Sequence, residues 1–150
     1  AFSASLSKFD NEHGMANSRA RLRMTTLYQV AAANKGIVVG TGNKVEDFGV
    51  GFYTKYGDGG VDISPIADCN KTEVWELGKE LGILKEIIDA PPTDGLWDDG
   101  RTDEGQLGFK YLELEDAMGN PNSPHREQYE KIRNQNLHKM EPIPVCKIPS

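Results

Sequence analysis

The chain lacks the features that mark several specialised classes of protein. Its 150 residues include only two cysteines. No apolar run approaches the roughly 20 residues that cross a bilayer, and residues 1–14 lack the basic region and apolar core of a secretory signal. Basic residues number 17 against 23 acidic ones, which gives a net charge of −6. We therefore predict no membrane association and no broad nucleic-acid binding, and we expect Cys69 and Cys146 to be free thiols in a reducing compartment.

A glycine-rich stretch dominates what the sequence does contain. Seven glycines fall between positions 40 and 60, with lysines, aspartates and threonines among them. Glycine lets a ligand approach backbone N–H groups closely, and neighbouring cations and hydroxyls suit a bound polyanion. The alternative is a long surface loop rich in turn residues, and composition alone leaves both interpretations open. Asp58 and Asp62 do not indicate an EF-hand, which needs more acidic ligands and a closing glutamate.

The elements around this stretch predict an α/β fold. A helix capped at Asn17 or Ser18 is predicted to run to Ala33. The apolar run Ile37–Val39 is typical of a strand buried on both faces. Helix, turn, strand and glycine-rich loop in this order indicate a parallel sheet, which binds ligands beyond the carboxyl ends of its strands.

Further helices are predicted downstream. Asn70 and Glu73 match a capping box, so a helix should begin near Lys71. Its apolar residues are predicted to face the core: Val74, Trp75, Leu77, Leu81 and Leu84. Two more helices are predicted at 107–118 and from Ser123 to about His138. Residues 1–15 should be loosely ordered, 96–104 should form an acidic loop that is either a mobile lid or an ordinary solvated loop, and prolines predict an extended tail over 140–150.

Three arginines lie at alternate positions near the start of the first long helix. Residues two apart do not share a helix face, so Arg19, Arg21 and Arg23 should face different surroundings. Arginine is unfavourable near a helix N-terminus. This cost suggests an anionic ligand or partner chain that compensates, while a solvated basic turn is the alternative.

Two blocks of the sequence resemble one enzyme family. Residues 40–44 read GTGNK and precede Glu46, and residues 52–60 read FYTKYGDGG and precede Asp62. With Pro65 and Lys71-Thr72, they are similar to the ammonia-dependent NAD synthetases. The likeness extends from about Gly14 to Met118 and returns at His138-Lys139. It implies an α/β fold of the Rossmann-like adenine nucleotide alpha hydrolase (ATP pyrophosphatase) type, in which helices flank a parallel sheet.

The resemblance also implies a reaction and its residues. In that family ATP adenylates the carboxylate of deamido-NAD, pyrophosphate leaves, and ammonia then displaces AMP to give NAD. By this likeness Thr41, Lys71 and Thr93 would bind ATP, and Glu46 would bind Mg²⁺. Deamido-NAD would be bound by Arg21, Lys55, Asp62, His138 and Lys139. No catalytic residue is assigned, although Asp62 is a candidate for taking a proton from ammonium. Each of these residues also has an alternative role that involves no ligand: Thr41 could be a turn-forming hydroxyl, and Glu46 could be a solvated carboxylate.

This sequence contains only part of the pattern of motifs that the family resemblance implies. Members carry an upstream Ser-Gly-Gly-x-Asp-Ser loop that holds the pyrophosphate of ATP, and this sequence has no such loop. We therefore expect residues 1–150 to be the C-terminal portion of a single NAD synthetase domain with little or no activity alone. The resemblance implies a cytoplasmic homodimer with deamido-NAD at the subunit interface, and the first long helix would be a reasonable interface element. The alternatives are an inactive fragment or non-catalytic nucleotide-binding or dimerisation module, and a related ATP pyrophosphatase with another substrate.

Overall fold

The described part of the chain consists of helices joined by long loops. The computed structural model describes residues 2–9, 11–97 and 99–148. Parts of the predicted loose start, acidic loop and tail, namely Ala1, Asp10, Asp98, Pro149 and Ser150, lie outside the described residues. The helices are α1 (Phe2–Ser5), α2 (Glu12–Ala33), α3 (Lys71–Glu80), α4 (Lys85–Ile88), α5 (Asp103–Leu107), α6 (Tyr111–Gly119) and α7 (Arg126–Met140). A 3-10 turn at Ser7–Phe9 and a π-helical segment at Lys44–Val50 complete the regular structure.

Helix α2 begins earlier than predicted. Its N-cap is Asn11, not Asn17 or Ser18, and the Asn11 side chain accepts the N–H of Gly14 at 2.7 Å. The first turn is largely exposed, so it carries no apolar periodicity that could have marked it as helical. The helix places its arginines over the glycine-rich stretch and over the loop at 93–97.

The predicted strand is reduced to a single point of pairing. One parallel bridge joins Val39 to Ile63, and no β-strand forms in residues 2–9, 11–97 and 99–148. Val38 is buried, whereas Ile37 and Val39 are 59% and 52% exposed. The prediction of a strand buried on both faces is therefore wrong for this chain. A parallel strand is buried on both faces only where other elements cover both of them, and here only the face that carries Val38 is covered.

Helix α3 starts as predicted, but the leucines that were predicted to face the core are exposed. Asn70 is its N-cap, and the Asn70 N–H donates to Glu73 Oε2 at 2.6 Å, which is one half of the predicted capping box. Trp75 packs against the core. Leu77, Leu81 and Leu84, however, are exposed. Periodicity shows which residues share a helix face, but not whether another element lies against that face.

The core lies where the π-helical segment meets α5, α6 and α7. Its buried members are Val45, Val50, Leu107, Phe109, Tyr111, Leu114, Ala117 and Tyr129. The predicted helix at 107–118 begins later, at Tyr111, because Gly108 adopts a left-handed conformation (φ 73°) and ends α5, to which Leu107 belongs. The predicted cap at Ser123 is also displaced, since α7 starts at Arg126. Tyr129 and Ile132 of α7 point inward.

Two simpler expectations can be compared with the structure. Cys69 and Cys146 are both free thiols, as predicted. In the part of the chain that the structure describes, no helix combines the length and the apolar character needed to cross a bilayer.

Candidate functional site

A cleft of about 490 Å³ lies between α2, the glycine-rich stretch and the rim loop, as we call residues 93–97. Thr41, Glu46, Lys71 and Thr93 all line it. These are the residues predicted for ATP and Mg²⁺, and they come from three separate parts of the chain: the glycine-rich stretch, α3 and the rim loop. The structure therefore brings together the whole of that predicted set.

The π-helical segment positions Glu46 at the base of the cleft. Asn43 is almost fully buried, and its side-chain oxygen accepts the N–H groups of Val45 and Glu46 at 3.0 Å each. The segment ends at Gly51, whose left-handed backbone (φ 65°) donates its N–H to the carbonyl of Glu46. A π-turn spans one residue more than an α-turn and is often found at functional sites. The backbone on both sides of Glu46 is thus fixed locally.

Glu46 is held by two donors from other elements. Lys71 Nζ lies 2.9 Å from Glu46 Oε1, with both side chains about 15% exposed. The Tyr111 hydroxyl donates to the same oxygen at 2.5 Å. Lys71 Nζ also lies 4.9 Å from the centre of the Tyr111 ring. The three side chains form one compact group on the cleft wall.

Asp103 adds a second carboxylate to this group. The Tyr111 hydroxyl lies 3.3 Å from Asp103 Oδ2. Asp103 Oδ1 is buried and has no hydrogen-bond partner among the described residues. Burial, with the charges of Glu46 and Asp94, raises the pKa of Asp103. Burial and the charge of Glu46 likewise raise the pKa of Tyr111, so its hydroxyl stays protonated and donates.

Asp47 lies beside the cleft and is partly buried. Its carboxylate packs closely against Gly42, since a Cβ added there would lie 1.9 Å from Asp47 Oδ2 and the carboxylate would have to move. Burial, followed by the charges of Glu46 and Asp58, raises the pKa of Asp47 from 3.8 to about 7. Carboxylates are therefore crowded on this side of the cleft.

The charges lining the cleft bear on a bound cation. Four carboxylates line it, those of Glu46, Asp58, Asp94 and Asp103, against the two cations Arg23 and Lys71. Among the described residues, no three His, Cys, Asp or Glu side chains form a group that could hold a metal ion. Mg²⁺ bound with a polyphosphate needs only one or two protein carboxylates. The donor set fits that kind of Mg²⁺ and not a metal held by the protein alone.

The residues predicted for deamido-NAD divide into two groups. Arg21 Nε donates to the carbonyl of Lys55 at 3.2 Å, and Lys55 Nζ donates to the carbonyl of His138. The structure therefore brings these three residues together on one surface, outside the residues that line the cleft.

Asp62 and Lys139 are engaged elsewhere. Asp62 accepts the N–H of Val38 at 2.7 Å and the hydroxyl of Tyr28 at 3.2 Å. Lys139 Nζ donates to the carbonyls of Gly51 and Tyr53 at 2.8 Å each. Neither residue lines the cleft, and both stabilise the backbone around the glycine-rich stretch.

The arginines of α2 separate only in part as predicted, because Arg21 differs from the other two but Arg19 and Arg23 share their surroundings. Arg19 and Arg23, four residues apart, share a face and bind the rim loop. Arg19 Nη1 donates to Leu96 O at 2.6 Å, and Arg23 Nη2 donates to Gly95 O at 2.9 Å. Arg21 points instead towards Lys55. Because α2 begins at Glu12, Arg19 and Arg23 lie beyond its first turn, and the dipole cost from which an anionic partner was predicted does not apply to them.

Sequence reasoning missed Tyr111 and Asp103. Tyr111 is 65 residues from Glu46 in sequence, so no local pattern links them. Asp103 lay within the predicted acidic loop, and its burial could not be read from a polar sequence. The only available signal was an aromatic residue with a hydroxyl in an otherwise apolar helix face, which usually needs a partner when buried.

The comparisons with known proteins agree with one another. The family model for NAD synthase matches residues 1–148. The NH(3)-dependent NAD(+) synthetase of Carboxydothermus hydrogenoformans is 50% identical over 101 residues, which are 67% of this chain and 41% of that protein. The corresponding protein of Alkaliphilus oremlandii is 44% identical over 134 residues, 88% of this chain and 53% of that protein.

A solved structure shares the fold over nearly the whole chain. The NMN synthetase of Francisella tularensis superposes with a TM-score of 0.90 at 38% identity, covering 98% of this chain and 62% of that one. The fold is thus that of these synthetases, although this chain spans about half the length of the curated relatives it matches. From the family model and these relatives, the chain belongs to the NAD synthase family.

Proposed function

We propose that this chain supplies the ATP-binding wall and part of the acceptor surface of an ammonia-dependent NAD synthetase. The reaction is the ATP-dependent amidation of deamido-NAD to NAD through an adenylated intermediate. The observation that supports it most directly is the cleft that Thr41, Glu46, Lys71 and Thr93 share. The membership of the family points in the same direction.

The proposed role of the cleft follows from the charge that the reaction develops. Adenylation transfers AMP to a carboxylate oxygen and releases pyrophosphate, so negative charge grows on phosphate oxygens. Groups already fixed in place stabilise such charge best. Lys71 is fixed by Glu46 and lies in the first turn of α3, where the helix dipole also favours an anion. Thr41 and Thr93 would supply hydroxyl donors from opposite sides.

Glu46 is the residue proposed to hold Mg²⁺. The excess of carboxylates in the cleft opposes a bare triphosphate, and a divalent cation would neutralise that charge and orient the phosphates. Lys71 and Tyr111 already bind Glu46 Oε1. The other carboxylate oxygen of Glu46 would therefore bind the cation, or Oε1 would bind it once one of its two hydrogen-bond donors is displaced.

The acceptor is proposed to bind beside the cleft. Arg21, Lys55 and His138 are connected on one surface, and Asp62 and Lys139 flank the same glycine-rich stretch. Ammonia must be neutral to attack the adenylate. Both oxygens of Asp62 already accept hydrogen bonds, so the group that takes the proton from ammonium is left unassigned.

We also propose that the functional protein is a homodimer in the cytoplasm. Helix α2 leaves Leu22 and Val30 exposed outside the cleft, which supports a role for this helix in the subunit interface. An exposed apolar face on a long helix is typical of an association surface. Sedimentation velocity on the chain would give the dimer mass if this is correct.

Calorimetry tests the proposed function without requiring turnover. The chain is titrated with MgATP and, separately, with deamido-NAD, and both are expected to bind. Glu46→Gln should weaken the binding of MgATP but not of deamido-NAD, and Arg21→Ala should weaken the binding of deamido-NAD but not of MgATP. Lys85→Gln, an exposed change in α4, should alter neither. If neither ligand binds the wild-type chain, the proposal is wrong and a non-catalytic interaction module is the better interpretation.

A second acceptor is favoured by the fold comparison. The Francisella tularensis protein whose structure superposes on this chain is named an NMN synthetase, and NMN is a mononucleotide. We therefore propose nicotinate mononucleotide as the alternative acceptor for this chain. Titration with it beside deamido-NAD separates the two: the true acceptor should bind more tightly, and Arg21→Ala should affect it more.

A further inference from the structure

Tyr111 is a buried polar side chain that contacts Glu46, a residue lining the proposed nucleotide cleft. It is 1% exposed and begins α6, and its hydroxyl lies 2.5 Å from Glu46 Oε1 but 3.3 Å from Asp103 Oδ2. A tyrosine hydroxyl has a single proton, so it can donate fully to only one carboxylate at a time. The two distances indicate that it donates to Glu46 in this structure.

Asp103 is left as an incompletely satisfied acceptor. It is 7% exposed and lines the cleft, yet its Oδ1 has no hydrogen-bond partner among the described residues. Buried carboxylate oxygens without partners are unfavourable and uncommon. Asp103 would therefore gain from any donor that turned towards it.

We propose that Tyr111 is the positioning residue for the Glu46 carboxylate, and that Asp103 becomes the acceptor of its hydroxyl when Glu46 turns to a ligand. This inference rests on the proposed function, because the ligand is MgATP. Tyr111 does not line the cleft itself. It acts through Glu46, whose Oε1 it shares with Lys71.

The exchange would connect the cleft to the rim loop. Asp103 is the first residue of α5, and its N–H donates to the carbonyl of Pro92 at 3.0 Å. Pro92 directly precedes the rim loop. A hydroxyl that turns from Glu46 to Asp103 Oδ2 would thus strengthen its hydrogen bond to the residue on which the loop is anchored when the nucleotide binds.

A double-mutant cycle on MgATP binding tests the proposal. Tyr111→Phe keeps the ring and its edge contact with Trp75 but removes the hydroxyl. We expect it to weaken MgATP binding by about tenfold when Glu46 is present and by less than about twofold in the Glu46→Gln background. Tyr129→Phe, a buried tyrosine of the same core, is the control and should leave binding unchanged. An equal loss in both backgrounds would overturn the proposal, since it would show a merely structural role.

Two further measurements keep the result decisive. Asp103→Asn should weaken MgATP binding while leaving the chain folded, because the amide is a poorer acceptor for the transferred hydroxyl; unchanged binding would count against the exchange. If the wild-type chain binds no MgATP, the proposed function fails, and the same cycle is run on urea unfolding. Coupling of about fivefold or more in the unfolding constant would support Tyr111 as the group that holds Glu46, and additive effects would overturn it.

Discussion

The strongest quantitative prediction concerns Asp47. Its folded-state pKa is raised to about 7 by burial and by the charges of Glu46 and Asp58. A group with a raised pKa binds its proton more tightly in the folded chain. Its stabilising contribution is therefore complete below the unfolded pKa near 4 and is lost as the pH rises through about 7.

The size of the effect follows from that difference. Each pKa unit corresponds to about 1.4 kcal/mol, so the difference between 3.8 and about 7 sets a ceiling of about 4 kcal/mol on the free energy of unfolding. Asp47 keeps some contact with solvent, which screens part of the interaction, so we expect about 2 kcal/mol. Asp47→Asn should abolish this penalty while preserving the packing of the side chain on Gly42.

Urea unfolding between about pH 4.5 and 8, in buffer without Mg²⁺ or nucleotide, measures the difference between wild type and Asp47→Asn. The two proteins should be similar in stability at the acidic end, and the variant should be more stable by about 2 kcal/mol at the alkaline end. Asp58 and Asp103 have raised pKa values as well, so only the difference isolates Asp47. Asp68→Asn, at a side chain 99% exposed, is the control. A difference that does not change with pH would refute the reasoning.

Two other predictions test the packing around the cleft. Gly57→Ala should lower the melting temperature, because its Cβ would lie 2.9 Å from the Cβ of Ala20 and overpacking costs about 1–3 kcal/mol. Gly119→Ala is the control, because a Cβ there would have nothing within 4 Å and should leave the melting temperature unchanged. Equal melting temperatures for the two variants would contradict the packing around Gly57. Arg23→Gln should speed hydrogen exchange in the rim loop, since it loses donors to two carbonyls there. Arg21→Gln on the same helix should not, and unchanged exchange in both would show that Arg23 does not hold the loop.

Local features of this fold could be predicted from the sequence. The Asn70 cap of α3 was predicted correctly because capping depends on residues within one turn of each other. The shared cleft was also predictable, because the motif residues come from loops and helix starts that a family fold brings together. The individual roles of those residues stay predictions.

Features that depend on distant contacts could not be predicted. Leu81 and Leu84 match an amphipathic pattern, but nothing in that pattern says what lies against them, and both are exposed. Tyr111 meets Glu46 only because α6 packs beside the π-helical segment. The break between α5 and α6 depends on one glycine in an unusual backbone conformation, which sequence periodicity does not reveal.

Helix α2 joins two surfaces that would otherwise be independent. With 22 residues it spans about 33 Å, and the same rigid rod carries both the arginines that hold the rim loop and the exposed Leu22 and Val30, which lie outside the cleft. Any subunit that docks on those apolar side chains and tilts the rod also shifts the carbonyl contacts at the mouth of the cleft. Nucleotide affinity would then vary with protein concentration, so self-association would be a means of tuning substrate capture.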